Sequence, residues 1–322
     1  MSAVLVLVEI IDGAPDRLSL EALRFAGSIG GPIEAAVIGA PGIEAAAAGL
    51  GAYGVASVHL VEDERLAAYA AAASASGLAA VIASGSFAAV VGPGSERGTE
   101  ILAHVAARSG APMAANVVAI QPGDRWKVTR QRWAGSLLEE AWLDGEPRLL
   151  TVAAHAVPPA EASAGGWSTA VVRVDAAISD TDLRARISGV ESMASDRVSL
   201  AEAKVVVGGG RGLGSAGAFA MLDELATLLG GAVGVSRVAT SLGWRPHAEQ
   251  IGQTGTRIAP DIYIACGISG AIQHVVGCKA AKRILVINTD PDAPIFGRAT
   301  YAVIGDVHQV VPAIMAEIRR TR

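Results

Sequence analysis

Val205-Val206-Val207-Gly208-Gly209-Gly210-Arg211-Gly212-Leu213-Gly214-Ser215 is the stretch on which the fold turns. Three β-branched apolar residues followed at once by a glycine run read as a strand buried on both faces, ending in a tight turn that leads to a helix. Glycines let a backbone approach a ligand, and a helix start offers free N–H groups at the positive pole of the dipole. The segment therefore reads as a phosphate cradle. A literal G-x-G-x-x-G is present at Gly212, Gly214 and Gly217, with four residues, Gly208 to Arg211, between it and the strand. Alone it is a weak fingerprint. The next apolar run, Val233-Gly234-Val235, leads into Ser236-Arg237. A carboxylate there would hold an NAD ribose, whereas an arginine speaks for an anionic group, so ordinary NAD binding is disfavoured.

Outward from this stretch, strand-like runs recur at 232–235, 262–265, 284–287 and 301–304, and a last helix spans 307–319 with Arg319 and Arg320 at its negative end. Four loops behind these runs carry polar residues among glycines: Arg237, Gly252-Gln253-Thr254-Gly255, the segment from Gly267 to His274, and Asn288-Thr289-Asp290-Pro291. Singly, a glycine turn is an ordinary cap, a lone histidine is structural and an arginine after a strand makes a surface ion pair. Ligands of a doubly wound sheet sit outside the carboxyl ends of its strands, so together these loops converge on one nucleotide-like ligand.

Toward the N-terminus, strands are expected at 4–8, 35–38, 57–61, 78–83 and 117–120, with helices at 20–27 and 42–50. That alternation is α/β construction with a mostly parallel sheet. Residues 66–95 carry no charge and are long enough to span a bilayer. They divide instead into an alanine helix at 66–73, a turn at 74–77 and the strand at 78–83. Short runs and turns at 125–154 suggest an antiparallel addition. A polar stretch at 175–201 reads as a linker. The fold expected is α/β with two domains: a mostly parallel sheet with an antiparallel addition over 1–190, and a doubly wound, Rossmann-like domain over 202–322.

Of 322 residues, 51% are hydrophobic, 18% charged and 4% aromatic, so a large aliphatic core is available and disorder is excluded. The net charge of −5 argues against a nucleic-acid footprint or an anionic-membrane patch. The 38 glycines exceed ordinary usage and imply many close backbone approaches. Cys266 and Cys278 cannot build a disulfide framework, and no cysteine cluster offers a metal or iron–sulfur site. A strand starts almost at Met1 with no basic leader before it, so a cytoplasmic protein is expected.

Ile262-Tyr263-Ile264-Ala265-Cys266-Gly267-Ile268-Ser269-Gly270-Ala271-Ile272-Gln273-His274, followed by Gly277 and Asn288, resembles the signature of the electron transfer flavoprotein α subunit. The blocks at Gly209–Leu213, Val235-Ser236-Arg237, Gly252–Gly255 and Asp290–Phe296 are similar to others of that family, in the same order. The likeness covers most of 203–312; the first 190 residues match in size and pattern alone.

The resemblance implies one FAD, held mainly by the C-terminal domain where it meets a separate β subunit; an AMP, where one is bound, belongs to that partner. It places Arg211, Ser236 and Arg237 around the flavin, Ile251, Gly252, Gln253, Thr254 and Gly255 along the isoalloxazine edge, and Ser269, Gly270, Ala271, Ile272, Gln273 and His274 from the pyrophosphate to the pyrimidine side. Asn288, Asp306 and Val307 fall at the adenosine end. Cys266 and Cys278 stand where aliphatic residues are usual, as packing changes. In flavin chemistry one-electron reduction puts negative charge on the N1–C2=O region. Arg237 is the candidate cation there, with His274 as donor to the C2 carbonyl, Thr254 reaching N5, and Arg211 answering the phosphates or capping the flavin face.

The function implied is that of an electron carrier rather than an enzyme with its own substrate. It would take electrons from flavin dehydrogenases, such as the acyl-CoA dehydrogenases of fatty-acid β-oxidation, and pass them singly to a quinone oxidoreductase. The N-terminal domain would dock the β subunit. The alternatives are an α subunit of an electron-bifurcating complex serving NADH, ferredoxin and quinone, an NAD-linked oxidoreductase, and a nucleotide-binding structural subunit.

Overall fold

The computed structural model describes residues 2–135, 137–163, 169–189 and 198–321. The chain divides into two compact units, Met1–Glu191 and Ser192–Arg322.

The first unit is built on one nine-stranded sheet. Its strands are β1 (Ala3–Val8), β4 (Ile33–Gly39), β5 (Ser57–Glu62), β6 (Phe87–Gly92), β7 (Met113–Gln121), β8 (Trp126–Arg132), β9 (Leu137–Leu143), β10 (Arg148–Val152) and β11 (Ala170–Arg173). Two-residue strands β2 (Ile10–Ile11) and β3 (Ala14–Pro15) form a small separate hairpin. The order is β11-β5-β4-β1-β6-β10-β7-β8-β9, parallel except for the β7-β8-β9 meander. Helices α1 (Arg17–Ala26), α2 (Glu44–Ala48), α3 (Ala71–Ser84) and α4 (Glu96–Ser109) cover the faces. Strand β1 shows why its sequence is apolar throughout: Val4, Val6 and Val8 pack with Leu23 and Phe25 of α1, while Leu5 and Leu7 pack with Leu78, Val81 and Leu102 on the opposite face.

Three expectations are corrected here. Residues 78–83 are not a strand, and 66–73 and 74–77 are not a helix and a turn. Ala71–Ser84 is one helix, preceded by a 3-10 turn at Glu64–Ala67, and the strand follows at Phe87–Gly92. Alanine is the strongest helix former and a β-branched residue costs a helix less than about 1 kcal/mol, so Val81-Ile82 do not end it, and small residues inside a helix can be packing surfaces rather than breaks. A Cβ on Gly77 would stand 3.2 Å from both Ile38 and Val61, so this glycine seats α3 close on the sheet. Second, 125–154 is not antiparallel throughout. Arg148–Val152 lies parallel between β6 and β7, as its almost wholly buried Leu149–Val152 run requires. Third, 175–189 is not free linker. Ile178 and Asp182 are buried, and the Asp182 carboxylate accepts from Ser76, Ser179 and Arg108, the last at 2.6 Å. Of the rest of the expected linker, 190–197 lie outside the described residues.

The second unit has a five-stranded parallel sheet: β12 (Val205–Gly209), β13 (Ala232–Val235), β14 (Ile262–Cys266), β15 (Ile284–Asn288) and β16 (Tyr301–Ile304), ordered β13-β12-β14-β15-β16. Helices α5 (Phe219–Leu229), α6 (Arg237–Ser241), α7 (Ile272–Cys278) and α8 (Val307–Thr321) complete it. Val207, Ile264 and Ile287 face α5 and α8, whereas Val206, Tyr263, Ala265 and Val286 enter the opposite core with Ile258 and Ile295. The architecture is the expected one, a large mixed sheet followed by a doubly wound parallel sheet. The chain leaves β12 toward β13 on one side and reaches β14 on the other, which makes the β12/β14 carboxyl edge the switch point where ligands bind in such sheets. Among the described residues no helix is long and apolar enough to cross a membrane.

Candidate functional site

At that edge the glycines first serve the chain itself. The turn after β12 crosses the turn after β14, with Gly210 N donating to Cys266 O and Gly212 N to Gly267 O, both at 2.9 Å. A Cβ on Gly210 would lie 2.3 Å from Gly267 O, and one on Gly212 would lie 2.6 Å from Gly267 Cα. The two turns meet backbone to backbone, which only glycine permits. Gly214 and Gly217 have open space around them, and α5 starts only at Phe219 after a 3-10 turn at Arg211–Leu213. The G-x-G-x-x-G match is therefore not the tight strand-to-helix fingerprint.

The crossed turns floor a cleft of about 600 Å³, within the range of small-molecule and cofactor sites. Its rim is carried forward by the segment after β13. Ser236 N donates to Gly209 O, Arg237 opens α6, and Ile251 N donates to Val235 O, which hangs the 250–256 loop from the same strand. Gln253 N donates to Gln273 O at 2.8 Å, and a Cβ on Gly277 would lie 2.3 Å from Gly252 N, so this loop is clamped directly on α7.

Of the residues singled out in the sequence, Arg211, Ser236, Arg237, Ile251, Gly252, Gln253, Thr254, Ser269, Gly270, Ala271, Gln273, His274 and Asn288 line this one cleft. Gly255, Ile272, Asp306 and Val307 do not. Gly255 closes the turn, with its N–H on Gly252 O; Ile272 stands largely exposed; Asp306 caps α8 by accepting from His308 N; Val307 is buried in the core. Asn288 is tied internally as well, donating from Nδ2 to Ile268 O and accepting from Asp290 N.

The cleft is rich in donors left without protein partners. Among the described residues the guanidinium groups of Arg211 and Arg237 make no ion pair, and the side chains of Ser236, Ser269, Gln253 and Gln273 make no hydrogen bond. His274 is buried, with Nε2 at 2.7 Å from the Tyr263 hydroxyl, while Nδ1 has no hydrogen-bond partner among the described residues. Burial lowers its pKa to about 4, against a smaller opposing pull from the Ile251 backbone, so the imidazole is neutral at pH 7.

Sequence reading missed Tyr263 and Gln250. Both are buried, and each acts on a residue in another segment. Gln250 accepts from the Thr240 hydroxyl and donates from Nε2 to Thr254 Oγ1 at 3.0 Å, which leaves the Thr254 proton to be given elsewhere. An isolated buried Gln beside the Gly-Gln-Thr-Gly block was the available signal. Val238, Ser241, Leu242 and Asp290 also line the cleft. Burial pushes the Cys266 and Cys278 thiols up to about 12, so both sit as inert core groups. No cluster able to hold a metal ion occurs among the described residues.

Residues 4–179 match the electron transfer flavoprotein domain family, and residues 199–279 match the electron transfer flavoprotein FAD-binding domain family. The electron transfer flavoprotein subunit alpha of Mycobacterium leprae is 38% identical over 320 residues, 99% of each chain. That of Mycobacterium tuberculosis is 39% identical over 320 residues, again 99% of each, and that of Bacillus subtilis 35% over 98% of this chain and 97% of its own. A Clostridium saccharobutylicum protein named FixB is 39% identical over 203 residues, 63% of this chain and 60% of its own. The cleft fits the cofactor on its own chemistry: two cations and two hydroxyls that have no partner among the described residues suit a pyrophosphate-bearing ligand, and a buried imidazole nitrogen there makes no hydrogen bond. An α subunit of this kind has a β subunit as its counterpart. With an FAD-binding domain at one end and the electron transfer flavoprotein domain at the other, this chain belongs to the electron transfer flavoprotein α-subunit family.

Proposed function

We propose that the chain is the FAD-holding half of an electron carrier that accepts electrons from flavin dehydrogenases and passes them singly to a quinone-linked acceptor, in the cytoplasm and in a heterodimer with its β subunit. The observation that carries this reading is Arg237 on the rim of the cleft, without an ion pair among the described residues, at the end of a strand where a dinucleotide-binding dehydrogenase would place a carboxylate. Bound FAD supplies reversible one-electron redox chemistry and places negative charge on its N1–C2=O side when reduced.

The residues of this chain then act as fixed electrostatics. Arg237 holds a positive charge beside the cleft and makes no ion pair among the described residues. Thr254, with its oxygen occupied by Gln250, donates its proton into the ring edge. Arg211, Ser236 and Ser269 bind the anionic chain of the cofactor, and the buried face formed by Ile251, Gly252 and Ile268 excludes water. Asn288 acts indirectly, by locking the two turns through Ile268 and Asp290.

Arg237→Ala should keep the fold and lower the one-electron reduction potential of the bound flavin by on the order of 60–120 mV, one to two tenfold factors. Arg237→Lys should fall between, because an ammonium lacks the planar fork. Redox titration of the purified heterodimer measures this, and an unchanged potential in Arg237→Ala would remove Arg237 from the role.

A further inference from the structure

The strand glycine Gly208, read from sequence as part of a phosphate cradle, has another task. It is paired with Ala265 in β14, and a Cβ on it would lie 2.2 Å from the Tyr263 hydroxyl oxygen and 2.5 Å from the ring. The missing side chain is the space through which Tyr263 extends its hydroxyl to His274 Nε2 at 2.7 Å. Tyr263 is fully buried, and burial holds its pKa well above the ordinary value, so the phenol keeps its proton.

The proton count along this pair has one good solution. A buried phenol proton needs an acceptor, and among the described residues the hydroxyl has no partner except His274 Nε2. If Nε2 carried the imidazole proton and donated to Tyr263, the phenol proton and the Nδ1 lone pair would both be stranded. If Tyr263 donates to Nε2, only one group is left over, an Nδ1–H donor, which the Ile251 backbone draws only weakly and a ligand acceptor can satisfy.

We propose that Tyr263 is a positioning residue: its hydroxyl donates to His274 Nε2 and so holds the imidazole proton on Nδ1, the ring nitrogen free to donate to the bound flavin. The flavin contact rests on the placement of His274 given under the proposed function; the tautomer does not. Gly208 is the enabling residue, since any larger side chain would displace the phenol.

The test is made on the full chain co-purified with its β subunit. Histidine-selective 15N labelling, with His274 assigned by difference against His274→Gln, reports which ring nitrogen carries the proton, before and after FAD is restored to the depleted complex. The expected result at pH 7 is a protonated Nδ1 and a bare Nε2, with Nδ1 shifting when FAD binds. Tyr263→Phe, nearly isosteric, should mix the two tautomers and weaken FAD binding by roughly two- to tenfold, the worth of one hydrogen bond. A protonated Nε2 in the unaltered complex overturns the role of Tyr263, and needs no variant to be seen. So does a Tyr263→Phe complex whose tautomer and FAD dissociation constant are unchanged. Resonances that FAD does not move overturn the contact with the flavin, and with it the placement of His274, while leaving the tautomer assignment standing.

Discussion

Both units present a switch point at the carboxyl ends of parallel strands, and both have a cavity there or beside it, of about 600 Å³ in the second unit and about 630 Å³ in the first. Volume therefore does not separate them. In the first unit the polar groups are paired with one another. Glu9, which follows β1, accepts from the Ser95 hydroxyl at 2.7 Å and donates its own N–H to Ser19. Arg97 stacks over Tyr69, whose hydroxyl donates to Glu100, and Glu62 is held by Gly42 N and Arg173. In the second unit Arg211, Arg237 and His274 Nδ1 have no such partners among the described residues. A carboxylate at one switch point and arginines with bare backbone at the other turn the same sheet geometry into a scaffold in one case and an anion-accepting cleft in the other.

The largest effect should come from filling the crossing of the two turns. Gly210→Val places branched carbon where Gly267 O would be 2.3 Å from its Cβ, against backbone that cannot retreat without separating β12 from β14. A loss of on the order of 3 kcal/mol or more is expected, together with loss of FAD. Gly217→Ala, in open space on the same loop, should be nearly neutral. Urea unfolding of the two variants sharpens the comparison, because similar losses would mean that loop composition, rather than the crossing, matters.

Next in size is the cost of the buried histidine. His274 is held at about 4 in the folded chain, below its ordinary 6.5, because burial disfavours the charged ring. The unfolded chain thus binds the extra proton first. Stability is complete above pH 6.5 and falls as the pH drops toward 4, by about 3 kcal/mol in all. His274→Gln should flatten the curve between pH 6.5 and 4.5, a window above most carboxylate titrations. Parallel curves for the two proteins would show that the ring is not buried in solution.

The same contrast explains what could be read in advance. Every strand of the second unit is legible: the central ones, buried on both faces, are unbroken runs such as Ile284-Leu285-Val286-Ile287 bounded by polar turns, and the exposed edge strand Tyr301–Ile304 is apolar as well. Residues 78–83 mislead because an alanine-rich helix covered on several sides has lost its periodicity, and Val81-Ile82 then imitates a strand. At the cleft, the loops behind β12, β13 and β14 show in the glycine spacing, but Tyr263 and Gln250 do not. Their meaning lies in contacts with His274 and Thr254, which the fold creates and no local pattern encodes. Asp306 and Val307 are the converse case: the family resemblance alone points to them, and within the chain itself Asp306 caps α8 and Val307 packs in the core.

The smallest expected effect belongs to the paired edge. Burial first, opposed by the Ser95 hydroxyl, raises the Glu9 carboxyl above its ordinary value, so the ionised form is the disfavoured one in the folded chain. A raised acid contributes stability at low pH that is lost as the pH climbs from about 4.5 through the folded value. Glu9→Gln keeps an oxygen for Ser95 and removes the buried charge. It should therefore raise the unfolding free energy at pH 7 by less than about 1 kcal/mol, and the gain should vanish by pH 4. If charge alone silenced this edge, the same variant would begin to bind an adenylate. It should not, because a Cβ on Gly94 would lie only 2.2 Å from Val152 O: the turn after β6 is already seated on the end of β10, and no bare backbone is left to meet a phosphate. Calorimetric titration with AMP decides the point. A flat trace supports closure by packing, and measurable binding by Glu9→Gln would show that the two sheet edges differ only in the sign of one side chain.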